Sequence, residues 1–146
     1  KDYQELVDCC HDDPNFVFTG KYVYKRDIAN LYAMIDCAFS VYDADNPNVR
    51  IALPNKLYEA ILCELPIIVA KGTYLAELVD EWGVGVAVSH KDEDELVDAI
   101  RRLKEDKAFY QSIVENCKKQ RDILFQRDIY EEMRDQFSKH LLESGV

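Results

Sequence analysis

The chain has no long apolar run, and no positively charged start leading into one. The first absence excludes a bilayer-spanning helix and the second a secretory leader. A cytoplasmic setting is expected, with peripheral attachment of a longer protein to the inner membrane face left open. The sequence also lacks a C-x-x-C pair, and His11, His90 and His140 stand far apart. A structural zinc site has no ligand set here, and no metal is assigned. Positive charge is scarce, with 18 Lys and Arg against 28 Asp and Glu and a formal net charge of −10. Such a surface repels phosphate backbones and anionic lipid, so nucleic acid is not expected as a partner. A local basic site for a diphosphate is still compatible with it, because local geometry sets such a site. Repeats and low-complexity tracts are absent as well.

What is present fits one soluble domain with a real core: 146 residues, 48% of them hydrophobic and 32% charged. The five cysteines are Cys9, Cys10, Cys37, Cys63 and Cys117. Their odd number, the vicinal pair, and the apolar surroundings of Cys37 and Cys63 read as reduced thiols.

The most informative stretch runs from Pro54 to Ala70. Pro54 and Asn55 are helix-start signals, Leu57, Tyr58, Ile61, Leu62 and Leu65 share a helical face, and Pro66 opens a run of β-branched residues. A helix that begins at a loop offers unpaired N–H groups to an anion. Lys56 adds positive charge there, and Glu59, about one turn in, places a carboxylate near the same mouth. The pairing suits a nucleotide, with phosphate on the helix start and ribose hydroxyls on the carboxylate. Glutamate in a first turn is also favoured by the helix dipole alone.

In chain order, Tyr3, Leu6, Val7 and Cys10 have helical spacing, and Asp12-Asp13-Pro14-Asn15 ends that helix. Phe16 to Thr19 reads as a short strand ended by Gly20, and the loop Lys21 to Lys25 follows. Asp27 reads as an N-cap, and Ile28, Leu31, Tyr32 and Ile35 as one apolar face. Asp36 to Tyr42 reads as a second strand, and Asp43 to Arg50 as a polar loop. The D-x-D at Asp43 and Asp45 has the spacing of a divalent-cation pair, but acids are frequent enough here for chance to supply it. Arg50 is a bidentate donor just ahead of the Lys56 helix.

A strand at Ile67 to Ala70 leads into Lys71-Gly72-Thr73, with Thr73 able to cap a helix from Tyr74 to Trp82. Gly83 to Val88 is a turn entering another strand. It lacks the third glycine of a dinucleotide fingerprint. Asp92 with Glu95 resembles a capping box, and Leu96, Val97, Ile100 and Leu103 are read as the buried face of the next helix. Residues 107 to 143 read as helical, with one stripe at Phe109, Tyr110, Ile113, Val114 and Cys117 and another at Ile129, Tyr130, Met133, Phe137 and Leu141.

The run Pro54 to Ala70, followed by Lys71 to Val79 and Trp82 to Val88, resembles the donor-binding, C-terminal half of GT-B glycosyltransferases of the retaining family 4 group. Phe16 to Gly20 and Leu31 to Phe39 resemble that family's earlier segments, in the same order. The resemblance implies an α/β fold with a Rossmann-like parallel sheet flanked by helices and a helical C-terminal tail. It implies one nucleotide-sugar-binding domain over 1–146, belonging to a larger two-domain enzyme whose N-terminal acceptor domain lies outside this sequence. A start on a helix with no strand before it points the same way.

The resemblance gives a donor nucleotide-sugar role to Glu59, Lys56, Asn55, Lys71, Gly72 and Thr73, and places Gly20, Tyr22 and Val23 near the base. No catalytic residue is assigned, and neither a cofactor nor a metal is required. Of the family's glutamate pair, Glu59 resembles the second, while Ile51 stands at the place of the first. The function implied is sugar transfer from a nucleoside diphosphate sugar to a glycan or lipid-linked acceptor, of the bacterial capsular or surface polysaccharide type.

Two other readings stay open. An epimerase of the same fold would use similar donor contacts, but it needs acid and base groups that these scattered histidines do not supply. A receiver-like regulatory domain is echoed by Asp43 and Lys71 after successive strands, but it lacks the acidic pair expected after a first strand.

Overall fold

The computed structural model describes residues 2–18 and 20–126. It forms two compact units, Lys1–Met34 and Ile35–Val146. The second apolar stripe, Ile129 to Leu141, lies outside the described residues.

The first unit holds helix α1, Asp2–Cys10, and helix α2, Tyr24–Tyr32. Between them the Asp13 carboxylate accepts from the Asn15 N–H at 2.9 Å, and the Phe16 N–H closes a turn on the Asp13 carbonyl at 3.0 Å. The strand expected at Phe16–Thr19 is not present over Phe16–Phe18. Phe16 is held in that turn, and Phe16 and Val17 are 50% and 79% exposed, so this apolar run is not buried in a sheet. Gly20 takes a left-handed φ of 69°, where a side chain would be strained. The cap of α2 also differs from expectation: Val23 is the N-cap, and Asp27 sits inside the first turn. Its carboxylate reaches back to accept from the Val23 N–H at 2.8 Å. The Arg26 guanidinium beside it holds the Asp27 carboxyl below its usual range.

The second unit carries the sheet, three parallel strands in the order β1 (Ala38–Ser40), β2 (Ile67–Ala70) and β3 (Gly85–Val88). Ala38 pairs with Ile67 and Ser40 with Val69, while Ile67 pairs with Gly85 and Ala70 with Val88. β1 is shorter than the Asp36–Tyr42 reading because only three of its residues find register on β2. The central strand is buried along its whole length, as the unbroken apolar run Ile67 to Ala70 requires of a strand covered on both faces. Ile67 lies opposite Gly85 for a steric reason: a Cβ on Gly85 would stand 1.9 Å from the Ile67 carbonyl oxygen.

Helices α4 (Asn55–Leu62), α5 (Tyr74–Trp82), α6 (Glu93–Glu105) and α7 (Lys107–Gln126) surround this sheet. α4 buries Leu57, Ala60 and Ile61, and α5 buries Leu75, Ala76 and Val79. Leu62 and Leu65 do not extend the α4 face. Leu62 is 46% exposed and the helix closes at Glu64, which takes a left-handed φ of 58°. There the Leu65 N–H bonds the Ala60 carbonyl at 2.9 Å and the Glu64 N–H that of Ile61 at 3.1 Å, the double closure of a Schellman end. α7 secures that end, since the Arg121 guanidinium pairs with the Glu64 carboxylate and the Cys117 thiol points at the Leu65 carbonyl at 3.7 Å. Burial pushes the Cys117 thiol up to about 12, so it remains protonated and inert. All five cysteines are unbridged.

On α6 the inward positions are Ala99 and Leu103. Val97 and Ile100, expected on the buried face, are 48% and 49% exposed because the i, i+4 pair Ala99–Leu103 takes the contact. A short helix α3, Pro47–Ile51, replaces the expected loop. Asn46 caps it by accepting from the Asn48 N–H at 2.9 Å, and Pro47 opens it.

Two outcomes follow. Gly85→Ala is expected to lower stability by about 3 kcal/mol, the upper end of overpacking costs, read as a denaturant midpoint shift. Thr73→Ala, which removes the side-chain cap of α5, is expected to cost about 1–2 kcal/mol in the same measurement, with Thr73→Ser retaining most of the stability.

Candidate functional site

In a parallel sheet every strand ends on the same edge, and ligands of open α/β folds bind outside that carboxyl edge. Here it collects the segments after Ser40, after Ala70 and after Val88. A cavity of about 310 Å³ lies there. Its floor is formed by the last residues of two strands, Ser40 and Ala70, and its rim by Pro54 and Thr73, the N-cap residues of α4 and α5. Val49, Ala52 and Leu75 give it carbon walls, and Tyr42 stands at the side. A second cavity, of about 640 Å³, opens near Asp36, Cys37 and Tyr110, at the start of β1 and so at the amino edge. Its larger size does not outweigh its position, since no carboxyl end of a strand faces it.

The residues around the first cavity differ in what their polar groups already do. Thr73 is spent on structure: its hydroxyl donates to the Ala70 carbonyl at 2.7 Å and accepts from the Ala76 N–H at 3.1 Å. α4, in contrast, has Pro54 at its N-cap and no side-chain cap, while α3, α5 and α6 are capped by Asn46, Thr73 and Asp92. Ser40 is 2% exposed, and its hydroxyl has no hydrogen-bond partner among the described residues. Such an orphan is uncommon in a folded core.

Lys56, in the first turn of α4, folds toward β1. Its ammonium donates to the Phe39 carbonyl and to the Tyr42 hydroxyl, each at 3.2 Å, and lies 5.5 Å from the Tyr42 ring centre. Both acceptors are neutral, so these bonds leave its charge uncancelled beside a residue that lines the cavity. Asn55 is the first residue of the same helix and is exposed. Glu59 is partly buried one turn further in and is not one of the lining residues.

Lys71 is used differently. Its ammonium pairs with the Glu95 carboxylate, whose other oxygen accepts from the Ser89 N–H at 2.7 Å. The Lys71 bond, with that backbone bond, holds the Glu95 carboxyl below its usual range. Glu95 therefore reaches back to Ser89 and not to Asp92, so only the Asp92 half of the expected capping box forms. Gly72 is exposed with a φ of 75°, which lets the loop turn into α5. Of the sequence candidates, Asn55, Lys56, Lys71, Gly72 and Thr73 share the carboxyl edge. Gly20, Tyr22 and Val23 belong to the first unit, where Tyr22 and Val23 are 52% and 55% exposed and the Val23 N–H is held by Asp27.

The structure adds residues that the sequence reading did not select. Ser40 and Tyr42 sit in or just beyond an apolar strand and carry no local signal. His90 joins the D-x-D from far along the chain: its Nε2 lies 3.2 Å from Asp43 and 3.9 Å from Asp45. The first distance suits an ion pair, but the ring nitrogen is buried and out of line for a hydrogen bond. Asp43, Asp45 and His90 are donor types that a divalent cation takes, with facing atoms within 4.8 Å of one another. Lys91 pairs with Asp45 and, as its main charge partner, holds that carboxyl below its usual range. In this structure Asp45 is thus already held in an ion pair with Lys91.

Among the described residues no helix is long and apolar enough to cross a membrane. Comparison with known proteins gives no match among curated proteins. Among solved structures, sucrose-phosphate synthase from Thermosynechococcus elongatus is similar, with a TM-score of 0.69 and 19% identity. The match covers 97% of this chain and 34% of that one, so the chain spans about a third of that structure's length. At that identity the likeness speaks for the fold: a Rossmann-like parallel sheet with flanking helices and a helical C-terminal part, as in GT-B glycosyltransferases. The family profile described as glycosyl transferases group 1 matches residues 3–120. With most of its length covered by that profile, the chain belongs to the glycosyl transferases group 1 family.

Proposed function

We propose that this chain is the donor-binding domain of a retaining, family 4-type GT-B glycosyltransferase. It works with an acceptor domain outside the sequence, at the cytoplasmic face of a bacterial membrane, in building a capsular or surface polysaccharide. The observation that carries the donor site is Lys56: a charge held by two neutral acceptors, at the first turn of an uncapped helix, beside a cavity on the carboxyl edge.

In this reading the diphosphate of a nucleoside diphosphate sugar sits at the start of α4. The free N–H groups and the Lys56 ammonium stabilise negative charge as it develops on the leaving diphosphate. Because Lys56 is anchored to Tyr42 and to the Phe39 carbonyl of β1, its charge is preorganised and little reorganisation accompanies the reaction. Glu59 orients the ribose through its hydroxyls. The acceptor hydroxyl comes from the other domain, so this chain alone binds the donor nucleotide weakly and turns nothing over.

A two-dimensional NMR titration with UDP, GDP and AMP tests this. Shifts are expected at Asn55–Glu59, strongest for one base. Glu59→Gln should weaken binding about tenfold, the value of one hydrogen bond to a charged group. Lys56→Met should weaken the diphosphates more than AMP and flatten the salt dependence. No shifts with any nucleotide, or turnover by the chain alone, would overturn the reading.

A further inference from the structure

Ser40 occupies a position where a parallel β-strand normally carries a purely apolar side chain. β1 alternates, with Ala38 and Ser40 inward and Phe39 outward, so the Ser40 hydroxyl is fixed in the interior by the register with Val69. The hydroxyl is buried and has no partner among the described residues, and Ser40 is one of the residues that line the 310 Å³ cavity. A buried polar group left in that state is unfavourable, and its retention is explained when a ligand or water completes it.

The other polar groups of the cavity are spoken for. The Thr73 hydroxyl is committed as both donor and acceptor, and the Tyr42 oxygen accepts from Lys56. Tyr42 is also 46% exposed, so solvent can serve its remaining proton. Of the side-chain hydroxyls on the lining residues, that of Ser40 is the uncommitted one, among the carbon walls of Val49, Ala52, Ala70 and Leu75. A sugar face rich in hydroxyls fits it poorly, since each would lose water and find no partner. A substituent with one carbonyl acceptor and a methyl group fits both features.

Resting on the donor-site reading above, we propose that Ser40 is a specificity-determining residue and that the cavity takes the acetamido group of an N-acetylated amino-sugar donor. The Ser40 hydroxyl donates to the acetamido carbonyl, and the methyl lies against Val49, Ala52 and Leu75. The 310 Å³ volume also admits the adjoining part of the sugar ring, a water occupying about 30 Å³. The mouth lies beside Pro54 and the start of α4, so a phosphate on the anomeric carbon would stay within reach of the helix N–H groups. The unpartnered Ser40 hydroxyl is an observation independent of the missing cap on α4, and Ser40 and Pro54 both line the same cavity.

The test uses base-free probes, so that the sugar preference is separated from nucleotide recognition. The chain is titrated by NMR with N-acetylglucosamine 1-phosphate and with glucose 1-phosphate, alongside UDP and GDP. The acetamido sugar is expected to bind roughly five- to tenfold more tightly, the worth of one completed hydrogen bond, with shifts at Ser40, Ala70 and Leu75. Ser40→Ala should abolish that preference, leave nucleoside diphosphate binding unchanged, and keep or raise the melting temperature, because it deletes an unpaired group. A Ser40 that only held water in the core would show no sugar preference to lose. Ala52→Leu, at an exposed residue that lines the cavity, fills the methyl site and should remove the same preference with Ser40 in place. Equal binding of the two sugar phosphates, or a preference that survives both substitutions, overturns the proposal. Binding of nucleoside diphosphates without either sugar phosphate overturns it while leaving the donor-site reading intact, and binding of none of the four overturns both.

Discussion

Burial of β2 on both faces is the constraint on which the rest of the second unit depends. A strand with a neighbour on each side and helices above and below can be only four residues long here and still fix everything around it. Its register on β1 sends Ser40 inward, and its register on β3 requires glycine at 85. Since the three strands are parallel, the loops that follow them are forced onto one edge, and the helices that lead out of those loops, α4, α5 and α6, begin on that side. The cavity is therefore a consequence of parallel pairing. What distinguishes this chain is which side chains arrive at it.

Those side chains divide by whether the fold has already used them. At the starts of α3, α5 and α6 a side chain answers the first N–H groups, and in the α5 loop Thr73 answers a carbonyl as well. At α4 proline takes the cap position, so no side-chain acceptor is supplied. The two lysines nearest the edge show the same division. Lys71 is neutralised by Glu95, which also anchors the Ser89 turn, so its charge serves the link between the β2 and β3 loops. Lys56 is tethered by neutral oxygens and an aromatic face, which fix its position and leave its charge available.

Much of this was legible in the sequence, and the exceptions have physical reasons. The central apolar run, the Thr73 and Asp92 caps and the glycine turns are local signals, and each structure followed its signal. The Asn46-Pro47 start of α3 was equally local, but the surrounding Asp, Asn and Pro residues read as loop chemistry. Phe16–Phe18 carries strand composition, yet composition makes a strand only where a neighbour buries it. Leu62, Val97 and Ile100 fell outside the core because helical periodicity marks a wide face, while the sheet touches only part of it. Lys56 and Thr73 were placed on the correct edge by order alone. Ser40, Tyr42 and His90 could not be found, since their meaning comes from neighbours distant in sequence.

The acidic balance of the chain bears on the same edge. A net charge of −10 would repel a diphosphate at long range, and screening at physiological salt confines that repulsion to about 8 Å. At the edge itself Lys71 and Lys91 offset Glu95 and Asp45. Those two carboxylates are thereby paired, while Lys56 keeps its charge on neutral acceptors. An acidic protein can present a local site for an anion in this way, where ion pairs offset some carboxylates and an anchored cation stands at a helix start with no side-chain cap.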